Sequence, residues 1–380
     1  MPEFIFHNPT RIVFGKDTIK YIGAELKRDG RKKILLLAGG GSIKDNGVYE
    51  KVTKSLKDNN IEWIEHWGIR PNPVLSKAYE ILQSIKGKEI DACLAVGGGS
   101  VIDTAKSIAA GYYLNDIWDA YDRKIEILRA LPIYTILTIS ATGSEMNQFA
   151  VLTNESLKRK WNIASDFLYP RVSIIDPLVQ MSLPWTQTVN GAIDAVAHIM
   201  EYYFTGTSEL TTMSIDEALM KSIIAMTDRL MSSPNDYTAR ANLAWSATLA
   251  LNGLSGAGLK DGDWTSHWIE HALSANYPDI AHGAGLGVIF PAWIKYMKSY
   301  NVVTFSTWAK NVWGTIDVDE AVNKMKEKIK KWGHPVSLEE LAVPENMFEQ
   351  IALNTLEIGH VGAFKEMEKE DIISILKLAA

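Results

Sequence analysis

Apolar positions in the first half of the chain come in short unbroken runs, whereas in the second half they recur at helical spacing. Lys33-Ile34-Leu35-Leu36-Leu37-Ala38 and the run 92–96 are each stopped by three glycines, Gly39-Gly40-Gly41 and Gly97-Gly98-Gly99. Runs of this length bounded by turn residues predict strands buried on both faces. Residues 134–139, 172–175 and 61–67 are further strand candidates, and 4–6 with 11–14 predict two short strands about a turn at Asn8-Pro9. Residues 48–59, 75–86 and 102–111 carry an apolar stripe at helical spacing. Strands alternating with helices predict a parallel sheet covered on each side.

After Asp176-Pro177 the strand signals fade. Helical periodicity predicts helices over 189–204, 212–231, 237–252, 265–272 and 318–332. The expected organisation is therefore an α/β N-terminal domain with a parallel sheet, residues 1–185, and an all-α C-terminal domain, residues 186–380. A cleft between two such domains is the expected place for a small-molecule site.

Composition narrows the class. The chain has 380 residues, enough for two domains, and 47% of them are hydrophobic. Its formal net charge is −6, against the basic face of a nucleic-acid binder, so no nucleic-acid partner is expected. No apolar run reaches the roughly 18 residues of a membrane span, so no membrane partner is expected either. The opening MPEFIFHNPTRIVFG lacks a basic segment followed by a sustained apolar stretch, and the expected location is cytoplasmic. The one cysteine, Cys93, lies in an apolar run and excludes a multi-thiolate metal site within one chain.

Two kinds of candidate chemistry stand out. Gly39-Gly40-Gly41-Ser42 and Gly97-Gly98-Gly99-Ser100 each follow a predicted strand. Glycines there let backbone amides approach a phosphate at a helix N-terminus. Ser100 fits an N-cap, with Asp103 completing a capping box. A third loop, Thr138-Ile139-Ser140-Ala141-Thr142-Gly143-Ser144-Glu145, offers hydroxyls and amides for pyrophosphate or ribose. None of the turns is a full GxGxxG. In the helical half, Asp194 and His198 are four residues apart, as are His267 and His271, and His282 follows after a loop. An i, i+4 pair shares one helix face, and carboxylate with neutral imidazole suits Fe²⁺ or Zn²⁺. The string His267-Trp268-Ile269-Glu270-His271 also matches H-x-x-E-H, a zinc-protease pattern in which Glu270 would be the base.

In this order these residues resemble the iron-containing alcohol dehydrogenase family, and within it the butanol dehydrogenase-like aldehyde reductases. The opening Asn8-Pro9-Thr10-Arg11-Ile12-Val13-Phe14-Gly15 resembles that family's start, and the likeness continues through Gly97 to Lys106, Ala141 to Glu145, Asp176-Pro177 and the Asp/His series, to about Trp313. The resemblance implies a dehydroquinate synthase-like fold. It implies Asp194, His198, His267 and His282 as ligands of one divalent metal, Fe²⁺ or Zn²⁺. It makes His271 a substrate-side histidine, our candidate for relaying the proton, and makes Gly98, Gly99, Ser100, Thr138 and Lys160 cofactor contacts, alongside Gly39, Gly40, Gly41, Ser42, Gly97, Asp103, Ser140 and Thr142 from the turns. The implied reaction is hydride transfer between a nicotinamide cofactor and a small alcohol or aldehyde. Family members that select NAD carry an acid just after the first core strand, where it repels a 2′-phosphate. Gly39 to Lys44 has none, so NADP(H) is expected over NAD(H). Phe149, Leu254, Leu259, Trp264 and Trp268 are expected to give the substrate an apolar surround. A phosphate-handling lyase of the same fold and a nucleotide-binding regulator with a structural metal are the competing readings. The N-terminal strand pair suggests a homodimer, extending a partner's sheet.

Overall fold

The computed structural model describes residues 3–259 and 261–380. Its strands are β1 (Arg11–Phe14), β2 (Lys33–Ala38), β3 (Glu62–His66), β4 (Ala92–Gly97), β5 (Ile133–Leu137), β6 (Phe149–Asn154), β7 (Arg159–Ala164) and β8 (Val172–Ile175). Six of them form one parallel sheet in the order β1-β8-β5-β4-β2-β3. Around it lie α1 (Ile22–Arg28), α2 (Ser42–Asp45), α3 (Val48–Asp58), α4 (Leu75–Ser84), α5 (Gly99–Gly111) and α6 (Trp118–Tyr121).

Strand alternation sorts the core into two clusters. Ile34, Leu36 and Ala38 of β2 join Ala92, Leu94 and Val96 of β4 and Val48, Val52 and Leu56 of α3. Leu35 and Leu37 of β2 join Cys93 and Ala95 of β4, facing Ala78 and Ile81 of α4 and Ile102 and Ile108 of α5. Successive side chains point to opposite faces, so a run apolar at every position is what a sheet covered on both sides requires. Burial pushes the Cys93 thiol up to about 12, so it packs as a small hydrophobe.

The rest is helical: α7 (Trp185–Tyr203), α8 (Leu210–Ser232), α9 (Tyr237–Ala250), α10 (Thr265–Asn276), α11 (His282–Met297), α12 (Val302–Trp313), α13 (Val318–Lys331), α14 (Phe348–Leu356) and α15 (Lys369–Ala379). The chain forms two compact units. One holds Asn8–Leu183 with Asn235–Ala244, and the other holds Pro184–Pro234 and Trp245–Ala380 with the residues up to His7. They are not uninterrupted segments: Ala244 in α9 belongs to one of the sheet's apolar clusters. Among the described residues, no helix is long and apolar enough to cross a membrane.

Two strand expectations need correction. Residues 4–6 form no strand and leave Ile5 94% exposed, because among the described residues no strand pairs with them. The segment 149–164, to which the sequence pattern assigns no element, is the antiparallel hairpin β6–β7. Its apolar residues fit neither strict alternation nor a buried run, since two of the six residues of β6 and four of the six of β7 are not fully covered.

Candidate metal centre and nucleotide-binding turns

On α7, Asp194 and His198 are one turn apart and almost wholly buried. Asp194 Oδ1 lies 3.6 Å from His198 Nδ1 and 3.5 Å from His282 Nε2. The His198 ring stacks on that of His267 in α10, centroids 4.7 Å apart. His282 arrives on the first residue of α11, and two glycines allow it. A methyl group on Gly283 would fall 2.1 Å from the Asn190 carbonyl of α7, and one on Gly285 would fall 2.7 Å from Glu270 Cγ of α10. Helix α11 therefore packs backbone-first against both neighbours. Asp194, His267 and His282 each bring one ligand atom within 4.8 Å of the others.

Two buried glutamates stand behind the imidazoles. Glu201 Oε1 lies within hydrogen-bond distance of His267 Nδ1, at 2.7 Å, and Glu270 Oε2 pairs with His282 Nδ1. Each contact leaves the other ring nitrogen, Nε2, for the cluster. Glu270, His271 and His282 also bring ligand atoms within 4.8 Å, but the Glu270 bond engages His282 Nδ1 while His282 Nε2 faces Asp194. The set around Asp194 is thus the better cage. Burial, then the neighbouring His267, holds His198 well below the usual imidazole range, which keeps it neutral. Burial, then the Asp263 charge, pushes Glu201 well above the usual carboxylate range, against the Trp264 and His267 hydrogen bonds that lower it.

The donor chemistry fits a divalent cation. A carboxylate and two imidazoles converge, and beside them His198 Nδ1 is buried with no hydrogen-bond partner among the described residues. A neutral imidazole nitrogen taken from water this way costs free energy unless something accepts its lone pair, and Fe²⁺ or Zn²⁺ would do so. His271 sits beside this set, 5.4 Å by centroid from His282 and 6.5 Å from His267. Trp264 meets the His267 ring edge-on at 5.2 Å, and Trp268 meets His271 at 5.4 Å. Leu254 is half-buried and Leu259 buried in the same unit. Phe149 stands at the start of β6, in the α/β unit.

The glycine turns lie at the carboxyl ends of β2 and β4. These strands are neighbours, yet the chain runs outward from β2 to β3 and inward from β4 to β5 and β8. Such a reversal is where open α/β sheets bind ligands. Added methyl groups on Gly98 and Gly99 would fall 2.0 Å from Ile139 Cγ2 and 2.4 Å from Thr142 Oγ1, so the Gly97-Gly98-Gly99-Ser100 turn presses on the 138–144 loop. Thr138 N–H bonds the Gly97 carbonyl at 3.0 Å. Gly40 and Gly41 face open space, and Gly39 is 3.3 Å from the Ile69 carbonyl by the same measure.

Several expected contacts have other partners. The N-cap of α5 is Gly98, and Ser100 lies inside the helix, because the tight packing of the glycines starts the helix earlier. Asp103 closes no capping box: it accepts from Ser144 Oγ at 2.6 Å and from the Val151 amide at 3.2 Å. Ser140 is bonded to Gln180, and Lys160 Nζ, on β7, lies 3.0 Å from Asn72 Oδ1. Lys44 stacks on Trp67, its Nζ 4.0 Å from the ring centroid. Sequence reasoning missed Glu201, although its i, i+3 spacing from His198 on the face that carries Asp194 was a usable signal. The competing H-x-x-E-H pattern would make Glu270 a base, whereas its carboxylate is engaged by His282 Nδ1.

Comparison with known proteins carries the assignment further. Residues 9–177 match the family model of iron-containing alcohol dehydrogenase, and residues 188–380 match the C-terminal model of the Fe-containing alcohol dehydrogenase family. The chain is 38% identical to the NADH-dependent butanol dehydrogenase A of Clostridium acetobutylicum, over 99% of both chains. It is 32% identical to the NADPH-dependent aldehyde reductase of Escherichia coli, over 89% of both. The crystal structure of the NADH-dependent butanol dehydrogenase A of Thermotoga maritima superposes with a TM-score of 0.98 at 50% identity, covering 100% of this chain and 99% of that one. Neither the protease nor the lyase reading finds support among these matches. The parallel sheet with its helical partner unit is the dehydroquinate synthase-like fold of those structures, and the chain belongs to the iron-containing alcohol dehydrogenase family, as a metal-dependent, NAD(P)H-linked oxidoreductase of alcohols and aldehydes.

Proposed function

We propose that one Fe²⁺ or Zn²⁺ ion is held by Asp194, His198, His267 and His282, that NADP(H) is the preferred cofactor, and that the substrate is a small primary alcohol or its aldehyde. The observation that carries the ligand set is the convergence of Asp194, His267 and His282 on one point, with the His198 ring stacked beside them. When bound, the ion supplies Lewis-acid polarisation of the substrate oxygen, and the nicotinamide supplies or accepts hydride. The chain does the rest. His271 carries the proton to or from the substrate oxygen, through water where the distance requires it. Trp264 and Trp268 give the carbon chain an apolar surface. In this reading residues 1–185 bind the dinucleotide and 186–380 bind metal and substrate. Amides of Gly39, Gly40, Gly41, Gly97, Gly98 and Gly99, with Ser42, Ser100, Thr138, Thr142 and Lys160, hold the cofactor.

NADP(H) preference rests on the end of β2, where Gly40 and Gly41 leave open space and no acid occupies 39–44. Named relatives lie on both sides: the Clostridium enzyme is called NADH-dependent and the Escherichia coli enzyme NADPH-dependent. A homodimer is supported by β1, an edge strand, and by the exposed Phe4, Ile5 and Phe6 that precede it. A cytoplasmic location suits an enzyme that draws on the nicotinamide pool. The test is metal analysis of the purified protein, with initial rates for a panel of aliphatic and aromatic aldehydes against NADPH and NADH. Stoichiometric metal with a higher kcat/KM for NADPH is expected. A metal-free protein with full activity, or a higher kcat/KM for NADH, removes the corresponding part of the reading.

A further inference from the structure

Glu201 is fully buried on α7, three residues beyond His198. Its carboxylate makes two bonds to the same short stretch of α10. Oε1 lies 2.7 Å from His267 Nδ1, and Oε2 accepts from the Trp264 backbone N–H at 2.6 Å. Its own carbonyl accepts from the Asp263 N–H at 3.1 Å. Trp264 is the N-cap of α10 and holds a left-handed conformation, φ 61°, unusual for a large side chain. Asp263 is itself anchored, accepting from the Thr265 amide at 3.3 Å and the Ala363 amide at 2.8 Å. The Glu201 carboxylate is therefore held by a backbone donor, the Trp264 amide, as well as by the imidazole.

We infer that Glu201 is a positioning residue that, bonded to His267 Nδ1 and steadied by the Trp264 amide, sets the tautomer and ring orientation of His267 so that Nε2 faces the cluster. The inference rests on the proposed ligand role of His267. With Oε2 already accepting from the Trp264 amide, an ionised carboxylate this close to Nδ1 is best satisfied when Nδ1 carries the proton, which leaves the Nε2 lone pair for a cation. Partners of this kind tune ligand basicity, and their loss weakens metal binding by about 10–100-fold. A merely structural Glu201 would hold α10 against α7 but would not care which nitrogen of His267 is protonated.

The experiment is a Zn²⁺ titration against a chromophoric chelator with four proteins: wild type, Glu201→Gln, His267→Ala and the double variant. Glu201→Gln is expected to weaken Zn²⁺ by about 10–100-fold and to alter the visible spectrum of the Co²⁺-substituted protein. In the His267→Ala background the same change is expected to add nothing further. Wild-type affinity in Glu201→Gln, or equal weakening in both backgrounds, overturns the positioning role. Wild-type affinity in His267→Ala instead overturns the ligand assignment, which keeps the two failures apart. Should Glu201→Gln not fold, ¹⁵N shifts of the histidines in the metal-free wild type decide: the His267 proton is expected on Nδ1, and a proton on Nε2 overturns the inference.

Discussion

The metal cluster and the glycine turns reach the same end, a preorganised polar site, by opposite means. Around Asp194 the work is done by side chains: the imidazoles of His267 and His282 converge on its carboxylate, the His198 ring stacks beside them, and two buried glutamates hold the rings of His267 and His282 from behind. At the ends of β2 and β4 it is done by the absence of side chains: Gly98 and Gly99 sit where even a methyl group would collide with Ile139 or Thr142. The first region tolerates no loss of a donor, and the second tolerates no gain of an atom. The two should therefore fail differently when mutated.

The largest expected effect is at the ligands. His267→Ala and His282→Ala should each lose metal and activity together, read by metal analysis beside NADPH oxidation, and stoichiometric metal in both would remove them from the ligand set. Next comes His271→Ala, which should retain its metal while turnover falls on the order of 10²-fold. Metal loss matching that of His267→Ala would make His271 a ligand instead. In the turns, Gly98→Ala should destabilise the protein by about 1–3 kcal/mol through overpacking, seen as a lower Tm with a raised cofactor KM. An unchanged Tm would mean that Ile139 yields freely.

Gly40→Asp probes the same region without a clash, because open space surrounds Gly40. It should keep its Tm and shift the kcat/KM ratio toward NADH by about tenfold, since a carboxylate repels the 2′-phosphate. An unmoved ratio would place the 2′-phosphate elsewhere. The smallest effect concerns pH. Burial depresses the folded-state pKa of His198, so the metal-free fold holds this ring neutral while the unfolded chain protonates it near 6.5. Its contribution to stability is then present above about pH 6.5 and lost as pH falls through the depressed folded value. Urea midpoints of the chelated protein at pH 7.5 and 5.5 should differ in that direction, and His198→Gln should reduce the difference.

Much of this was readable from local pattern. Strand β8 appeared with the bounds expected for it, because all four of its residues are buried and three of them are apolar. The Asp194–His198 pair was visible because one helical turn places both on one face. The hairpin β6–β7 was not, since its half-covered strands leave no clean period. Residues 4–6 looked like a strand by composition, but a strand exists only when another strand accepts its hydrogen bonds.

By itself the sequence determined the alternation of elements, the residue types able to bind a metal and the places where backbone could approach a phosphate. Those properties depend on residues within a few positions of each other. Tertiary structure alone decided which nitrogen of each histidine faces the cluster. The Glu201–His267 bond joins positions 66 apart and the Glu270–His282 bond positions 12 apart. The first needs α7 packed on α10, and the second needs Gly283 and Gly285 to let α11 settle against α7 and α10. Periodicity reports which face of a helix is buried, but a hydrogen bond also depends on the direction of its donor, and that direction is set by packing between helices remote in sequence.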